Sequence, residues 1–163
     1  MITFKKLDSK EELSDALSVL KKSFKTVADE FGLTKENAPT NAAFMTLERL
    51  IETTGDGVSL FGLFENGILV GTVALEKSKE NPEIFYLERL SVLPEKRHLG
   101  YGRKLMDFAK NRAAVEKAKK ISIGVIDSNE ILKSWYIEYG FKETMIKSYD
   151  HLPFKVCFME LNI

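Results

Sequence analysis

The stretch from Ile84 to Ile126 leaves this chain few folds to choose from. Ile84 to Leu93 reads as a long apolar strand stopped by Pro94, which has no N–H to extend a ladder. A glycine-punctuated loop then opens a helix from Gly100 to about Lys119, with Gly102, Leu105, Met106, Ala109 and Ala113 on one face. Ile121 to Ile126 follows as a short apolar strand, expected to be buried on both sides. Strand, helix, strand within one sheet demands a crossover, which predicts a parallel pair.

The rest of the chain frames that unit. Residues 2–7 read as a strand, and Ser9 and Glu12 fit a capping box. Leu13, Ala16, Leu17, Leu20 and Phe24 form one helical face. Residues 29–39 read as a loop, and a second helix is expected from about Thr40 to Thr53. Val58–Phe64 and Ile68–Glu76 flank Glu65-Asn66-Gly67, a strong hairpin signal because Asn and Gly tolerate positive φ. Asp127 or Ser128 is expected to cap a helix carrying Leu132, Trp135, Tyr136 and Tyr139, ended by Gly140. Phe141–Tyr149 and Phe154–Leu161 close the chain as strands. The order β-α-α-β-β-β-α-β-α-β-β predicts an α/β (α+β) fold: a mixed central sheet of about seven strands with flanking helices. The length, 163 residues, points to one domain over 1–163.

Composition narrows the functional classes. The 24 basic and 24 acidic residues cancel, so nothing favours nucleic acid or an anionic membrane as the main partner. The single cysteine, Cys157, excludes an intrachain disulfide framework and a cysteine-built zinc site. It sits among Phe154, Val156, Phe158 and Met159, which favours a packed small hydrophobe over a nucleophile. His98 and His151 lack carboxylates at ligand spacing, so no metal is expected. No apolar run is long enough to span a membrane, and no signal core follows the N-terminal lysines. A cytoplasmic protein is expected.

Chemistry concentrates in Leu90-Ser91-Val92-Leu93-Pro94-Glu95-Lys96-Arg97-His98-Leu99-Gly100-Tyr101-Gly102-Arg103. The first N–H groups of a helix lack internal partners and point out at the positive end of its dipole. Glycines let phosphates approach the backbone, and Arg97 and Arg103 add charge. These features suggest a pyrophosphate cradle, although a tight strand-to-helix turn with surface arginines has the same glycine spacing. The Gly-Lys-Ser/Thr ending of a Walker A loop is absent. So is the third glycine of a dinucleotide fingerprint, where Leu105 stands.

Arg97-His98-Leu99-Gly100-Tyr101-Gly102 resembles the Arg/Gln-x-x-Gly-x-Gly/Ala hallmark of the GCN5-related N-acetyltransferase (GNAT) superfamily. Val92-Leu93-Pro94 resembles the Val-x-Pro that precedes it. Asn129, and Trp135-Tyr136 ahead of Gly140-Phe141, resemble a second family feature, and the element order extends the likeness over nearly the whole chain. One departure is His98, which stands where many members carry a glycine.

The resemblance implies acetyl transfer from acetyl-CoA to a primary amine by direct attack. Backbone N–H groups of His98, Leu99, Gly100, Tyr101 and Gly102 would take the pyrophosphate, with Arg97 and Arg103 beside them. Leu90, Ser91 and Val92 would pair with the pantetheine arm, and Asn129 would touch it. A backbone N–H near Val92 would serve as oxyanion donor. Tyr136 matches the tyrosine that acts as general acid toward the departing sulfur; a core tyrosine is the alternative.

Glu88 is the candidate base. Simple alternation puts it on one face with Ile84, Tyr86, Leu90 and Val92, where burial raises a carboxyl pKa. A bulge in this strand, frequent in the family, would change that phase, and a salt bridge to Arg89 is the alternative role. The expected acceptor is a small-molecule amine, with a peptide N-terminus or lysine as alternatives. A non-catalytic acyl-CoA sensor and a nucleotide-binding regulator are the competing functions, and a homodimer is possible. Residues 24–45 and 145–153 should set selectivity. Asp29, Glu30 and Glu36 are candidate attractors of a cationic amine, and Phe24, Phe31, Phe44 and Tyr149 are candidates for an apolar pocket.

Overall fold

The computed structural model describes every residue from Met1 to Ile163. The strands are β1 (Ile2–Leu7), β2 (Val58–Glu65), β3 (Ile68–Lys77), β4 (Ile84–Val92), β5 (Lys120–Ile126), β6 (Lys142–Lys147) and β7 (Val156–Asn162). The helices are α1 (Lys10–Glu30), α2 (Leu47–Gly55), α3 (Tyr101–Val115) and α4 (Glu130–Tyr139). Short 3-10 turns cover Ala42–Phe44 and Pro94–Lys96. One seven-stranded sheet has the order β1-β2-β3-β4-β5-β7-β6. All neighbours are antiparallel except β4 and β5, the predicted parallel pair joined by α3.

Local chemistry explains most elements. Ser9 accepts from the Glu12 N–H while Glu12 reaches back to the Ser9 N–H, completing the capping box of α1. Asn66 and Gly67 both take positive φ, 50° and 83°, as the β2–β3 turn requires. The main core joins β2–β5 and β7 to α3 and α4 on one side, centred on Leu63, Leu105, Met106, Ile121 and Met159. A second core packs α1 and α2 on the other side, through Leu7, Leu20, Leu50 and Leu60.

Several boundaries differ from expectation. The second helix begins at Leu47, because Thr46 takes an extended conformation and caps the Arg49 N–H. Phe44 lies in the preceding 3-10 turn, capped by Asn41. Helix α3 stops at Val115, where Lys117 turns left-handed (φ 65°) and the Ala118 N–H bonds back to the Ala113 carbonyl. Asn129, rather than Asp127 or Ser128, caps α4 by accepting from the Leu132 N–H. Strand β6 spans a shorter stretch than expected, and β7 begins two residues late.

Two departures shape the site. Strand β5 is not buried on both sides: Ile121, Ile123 and Val125 are buried, Ser122 is half-buried and Gly124 is exposed. The cause is its neighbour, since β4 pairs with β5 only at Ile84–Tyr86 against Lys120–Ser122, and the strands then part. The second is a bulge. Ala74 faces Glu88 and Thr72 faces Ser91, so β4 carries an extra residue there, with Arg89 at φ 52°. Glu88 therefore shares its face with Ser91, not with Leu90 and Val92.

Candidate active site

The parting of β4 and β5 opens two adjoining cavities. The inner one, about 290 Å³, is walled by Glu88 and Leu90 of β4, Ile123–Ile126 of β5, and Leu132 and Tyr136 of α4. The outer one, about 510 Å³, runs along Leu90–Val92 to Lys96, Arg97, His98, Gly100, Tyr101, Gly102 and Arg103. Phe24, Val27, Leu90, Asn129 and Leu132 border both, so they meet end to end.

The loop at the outer end suits an anion. His98 (φ 64°) and Gly100 (φ 82°) are left-handed, which turns successive N–H groups to one side. No backbone N–H from His98 to Arg103 finds a carbonyl within the protein. The residues are pinned from behind. The Tyr101 hydroxyl donates to Glu65 Oε1 at 2.7 Å, and Lys96 Nζ lies 2.6 Å from Glu65 Oε2. These two partners hold the Glu65 carboxyl below the ordinary range. A Cβ on Gly102 would stand 3.4 Å from the Trp135 ring, at ordinary van der Waals contact, so the first turn of α3 lies directly against α4.

Not every signature side chain faces a ligand. Arg97 is committed to α1, donating to Thr26 Oγ1 and to the Ser23 carbonyl, each at 3.0 Å. Arg103 lies over the Tyr139 ring, 5.2 Å from its centroid. The Leu99 side chain is exposed and borders neither cavity, leaving only its backbone N–H for the cradle. Asn129 is 9% exposed; its Oδ1 is spent on the cap, and its Nδ2 makes no bond within the chain.

Glu88 and Tyr136 come together on the wall of the inner cavity. Burial, then the neighbouring Glu76 carboxylate, raise the Glu88 pKa, while Arg89 opposes them. No Glu88–Arg89 bridge forms; the Arg89 guanidinium donates to Thr53 Oγ1 at 3.0 Å. Tyr136 is buried, and burial alone pushes its phenol up, since no protein group bonds its hydroxyl. Trp135 packs edge-on against it at 5.0 Å.

The acetyltransferase (GNAT) family model matches residues 24–141, spanning the loop, the parted strands and α4. The chain belongs to the GNAT acetyltransferase family. Solved structures agree in fold. PaiA N-acetyltransferase from Thermoplasma acidophilum, in complex with coenzyme A, is 21% identical with a TM-score of 0.79, covering 100% of this chain and 99% of its own. The ribosomal-protein-S18-alanine N-acetyltransferase of Escherichia coli is 18% identical with a TM-score of 0.77, covering 100% and 94%. A probable acetyltransferase from Staphylococcus epidermidis is 16% identical with a TM-score of 0.76, covering 99% of each chain. No curated protein matches the sequence.

The other candidates of this GNAT chain are scattered. Asp29 pairs with Lys25 at 2.7 Å, Glu30 borders the outer cavity, and Glu36 is exposed. Phe24 lines both cavities, whereas Phe31 and Phe44 pack nearby and Tyr149 stands against His151. Cys157 is buried and donates to Glu143 Oε1 at 3.3 Å; burial and that carboxylate push its thiol up to about 11. Sequence reasoning missed Thr72, Glu65 and Phe154. Nothing local marks them, because each acts on a residue distant in the chain.

No helix is long and apolar enough to cross a membrane.

Proposed function

We propose that residues 1–163 act as one domain that transfers an acetyl group from acetyl-CoA to the primary amine of a small molecule. One observation carries this reading: Glu88 and Tyr136 share an inner cavity that opens end to end into a groove leading to the unpartnered N–H groups of His98–Arg103. Bound acetyl-CoA supplies an activated thioester. The N–H groups, at the positive end of α3, hold its pyrophosphate. The unpaired edge of β4 at Leu90–Val92 and the Asn129 amide orient the pantetheine arm, and the Val92 backbone offers an oxyanion donor.

Glu88 takes the proton of the incoming ammonium, and its raised pKa improves that match. Tyr136 stays protonated through neutral pH and donates toward the leaving sulfur. Holding both reactants in one chamber supplies further acceleration. A pure acyl-CoA sensor would have no use for Glu88 and Tyr136 on the chamber wall.

Calorimetric titration with acetyl-CoA, against ATP and NAD as controls, tests the cradle. Selective stoichiometric binding, followed by thiol release with an amine, is the expected result. Absence of binding by folded protein would overturn the reading.

A further inference from the structure

We propose that the acceptor is a monoamine with a compact apolar body, rather than a polyamine or a lysine within a polypeptide. This deepens the acetyl-transfer reading and rests on it. The first support is an apolar cluster that reaches the wall of the inner cavity. Leu33 and Ala43, in the segment between α1 and α2, pack with Phe31 and Phe44 against Ile126 and Phe154. Ile126 ends β5 and Phe154 precedes β7, so this cluster ties the α1–α2 segment to the opposite wall. Phe24 belongs both to the cluster and to the cavity wall. The acceptor side is thus a recess of about 290 Å³, bordered by Phe24, Ile126 and Phe154 of this cluster and small beside a folded peptide segment.

Charge supplies the second support. Glu88 is the one carboxylate on the wall of this recess, and Arg89 stands beside it. The remaining wall is mainly aliphatic and aromatic. An ammonium at the far end of a diamine would leave water and meet no carboxylate there, a heavy desolvation cost. A methyl group in its place gains from the same wall. In the transfer, the neutral amine nitrogen forms the C–N bond as the C–S bond breaks. Glu88 already holds the proton taken from the ammonium, so the proton displaced from nitrogen on acylation returns to the Tyr136 oxygen. The sulfur takes the C–S electron pair and a proton through Tyr136.

The full chain with acetyl-CoA is assayed against n-alkylamines, phenethylamine, putrescine and a lysine peptide with a blocked N-terminus. Free thiol and acetylated product are both measured. The expected kcat/KM rises about threefold per added methylene until the recess fills. n-Pentylamine exceeds its isostere putrescine by about tenfold or more, because the terminal methyl replaces an ammonium. Phe154→Asp, which puts a carboxylate into the cavity wall, shifts that ratio toward putrescine. Putrescine or the peptide matching n-pentylamine in the unaltered protein overturns the inference, whether or not the variant folds. Acetyl-CoA binding with no amine acetylated overturns it as well. A failure to bind acetyl-CoA, read by calorimetry before any amine is added, instead removes the acetyl-transfer reading beneath it.

Discussion

The hydroxyls of Thr72 and Ser91 lie 2.7 Å apart, buried between β3 and β4. Thr72 Oγ1 also donates to the Arg89 carbonyl at 2.9 Å, which leaves Ser91 as the donor to Thr72. This short chain of bonds spans the bulge. It holds Arg89 left-handed and fixes the direction in which Leu90–Val92 leave the sheet. Thr72→Val keeps the shape but leaves the Arg89 carbonyl and the Ser91 hydroxyl without their partner. A loss of about 1–3 kcal/mol is expected. The Michaelis constant for acetyl-CoA should rise as well, because the strand edge that orients the arm loosens. Denaturant melts and initial rates check both. An unchanged Michaelis constant in a destabilised protein would confine Thr72 to a structural role.

That pair shows why some of the site was legible and some was not. Pro94, Gly100 and Gly102 announce the strand end and the loop, because their backbone chemistry is local. Arg89 takes a positive φ without being glycine, held by a threonine from another strand, so the bulge leaves no local mark. Arg97 reads as a free charge beside the loop, yet its partners lie on α1. Asp127, Ser128 and Asn129 are all competent caps, but the third takes the Leu132 N–H while the Asp127 carboxylate accepts from Lys133. The apolar run 121–126 looks buried on both faces because composition cannot show that β4 departs from it.

Glu88 and Tyr136 should separate in a pH–rate profile. The base must be ionised, so activity should rise with pH through the raised Glu88 pKa. Glu88→Gln should remove that limb and lower kcat/KM by about 100-fold. Tyr136→Phe should lower kcat by roughly 100-fold across the range while sparing acetyl-CoA affinity. No falling limb near pH 10 is expected from a phenol shifted up by burial. Stability should move the opposite way. Folded Glu88 holds its proton more tightly than the unfolded chain, so its stabilisation is fullest in acid and is lost as pH rises through the raised value. Glu88→Gln should therefore melt above the parent at neutral pH and with it in acid.

Asn129 joins the α4 cap to the chamber, and two substitutions divide those jobs. Asn129→Asp keeps an acceptor for the Leu132 N–H, and Asn129→Ala does not. Alanine should cost about 1 kcal/mol of stability, aspartate much less. Both remove the free Nδ2 donor, so both should weaken acetyl-CoA binding by about fivefold, the worth of one net hydrogen bond. Normal affinity in the aspartate variant would mean that Asn129 is only a cap.

Lys133 is 9% exposed and places its ammonium 2.9 Å from both Asp127 Oδ1 and Glu143 Oε1. It thereby ties the start of α4 to edge strand β6, which is exposed along its length. Hydrogen bonds to Glu143 and then Asp127 raise the lysine pKa, and Lys133 followed by Cys157 lowers that of Glu143. The carboxylate's contribution is present above its unfolded pKa and is lost as pH falls through the depressed folded value. The lysine's contribution is full below its unfolded pKa and is lost only as pH rises through the raised folded value. Lys133→Met should therefore lower the melting temperature most between about pH 5 and pH 9, with the deficit shrinking below about pH 4. The Cys157 thiol, raised to about 11 beside Glu143, should resist iodoacetamide at pH 8 in the native parent. Faster labelling is expected in Lys133→Met if loss of the tie lets β6 lift from β7. Equal labelling, with a melting deficit that does not vary with pH, would show that Lys133 acts through packing alone.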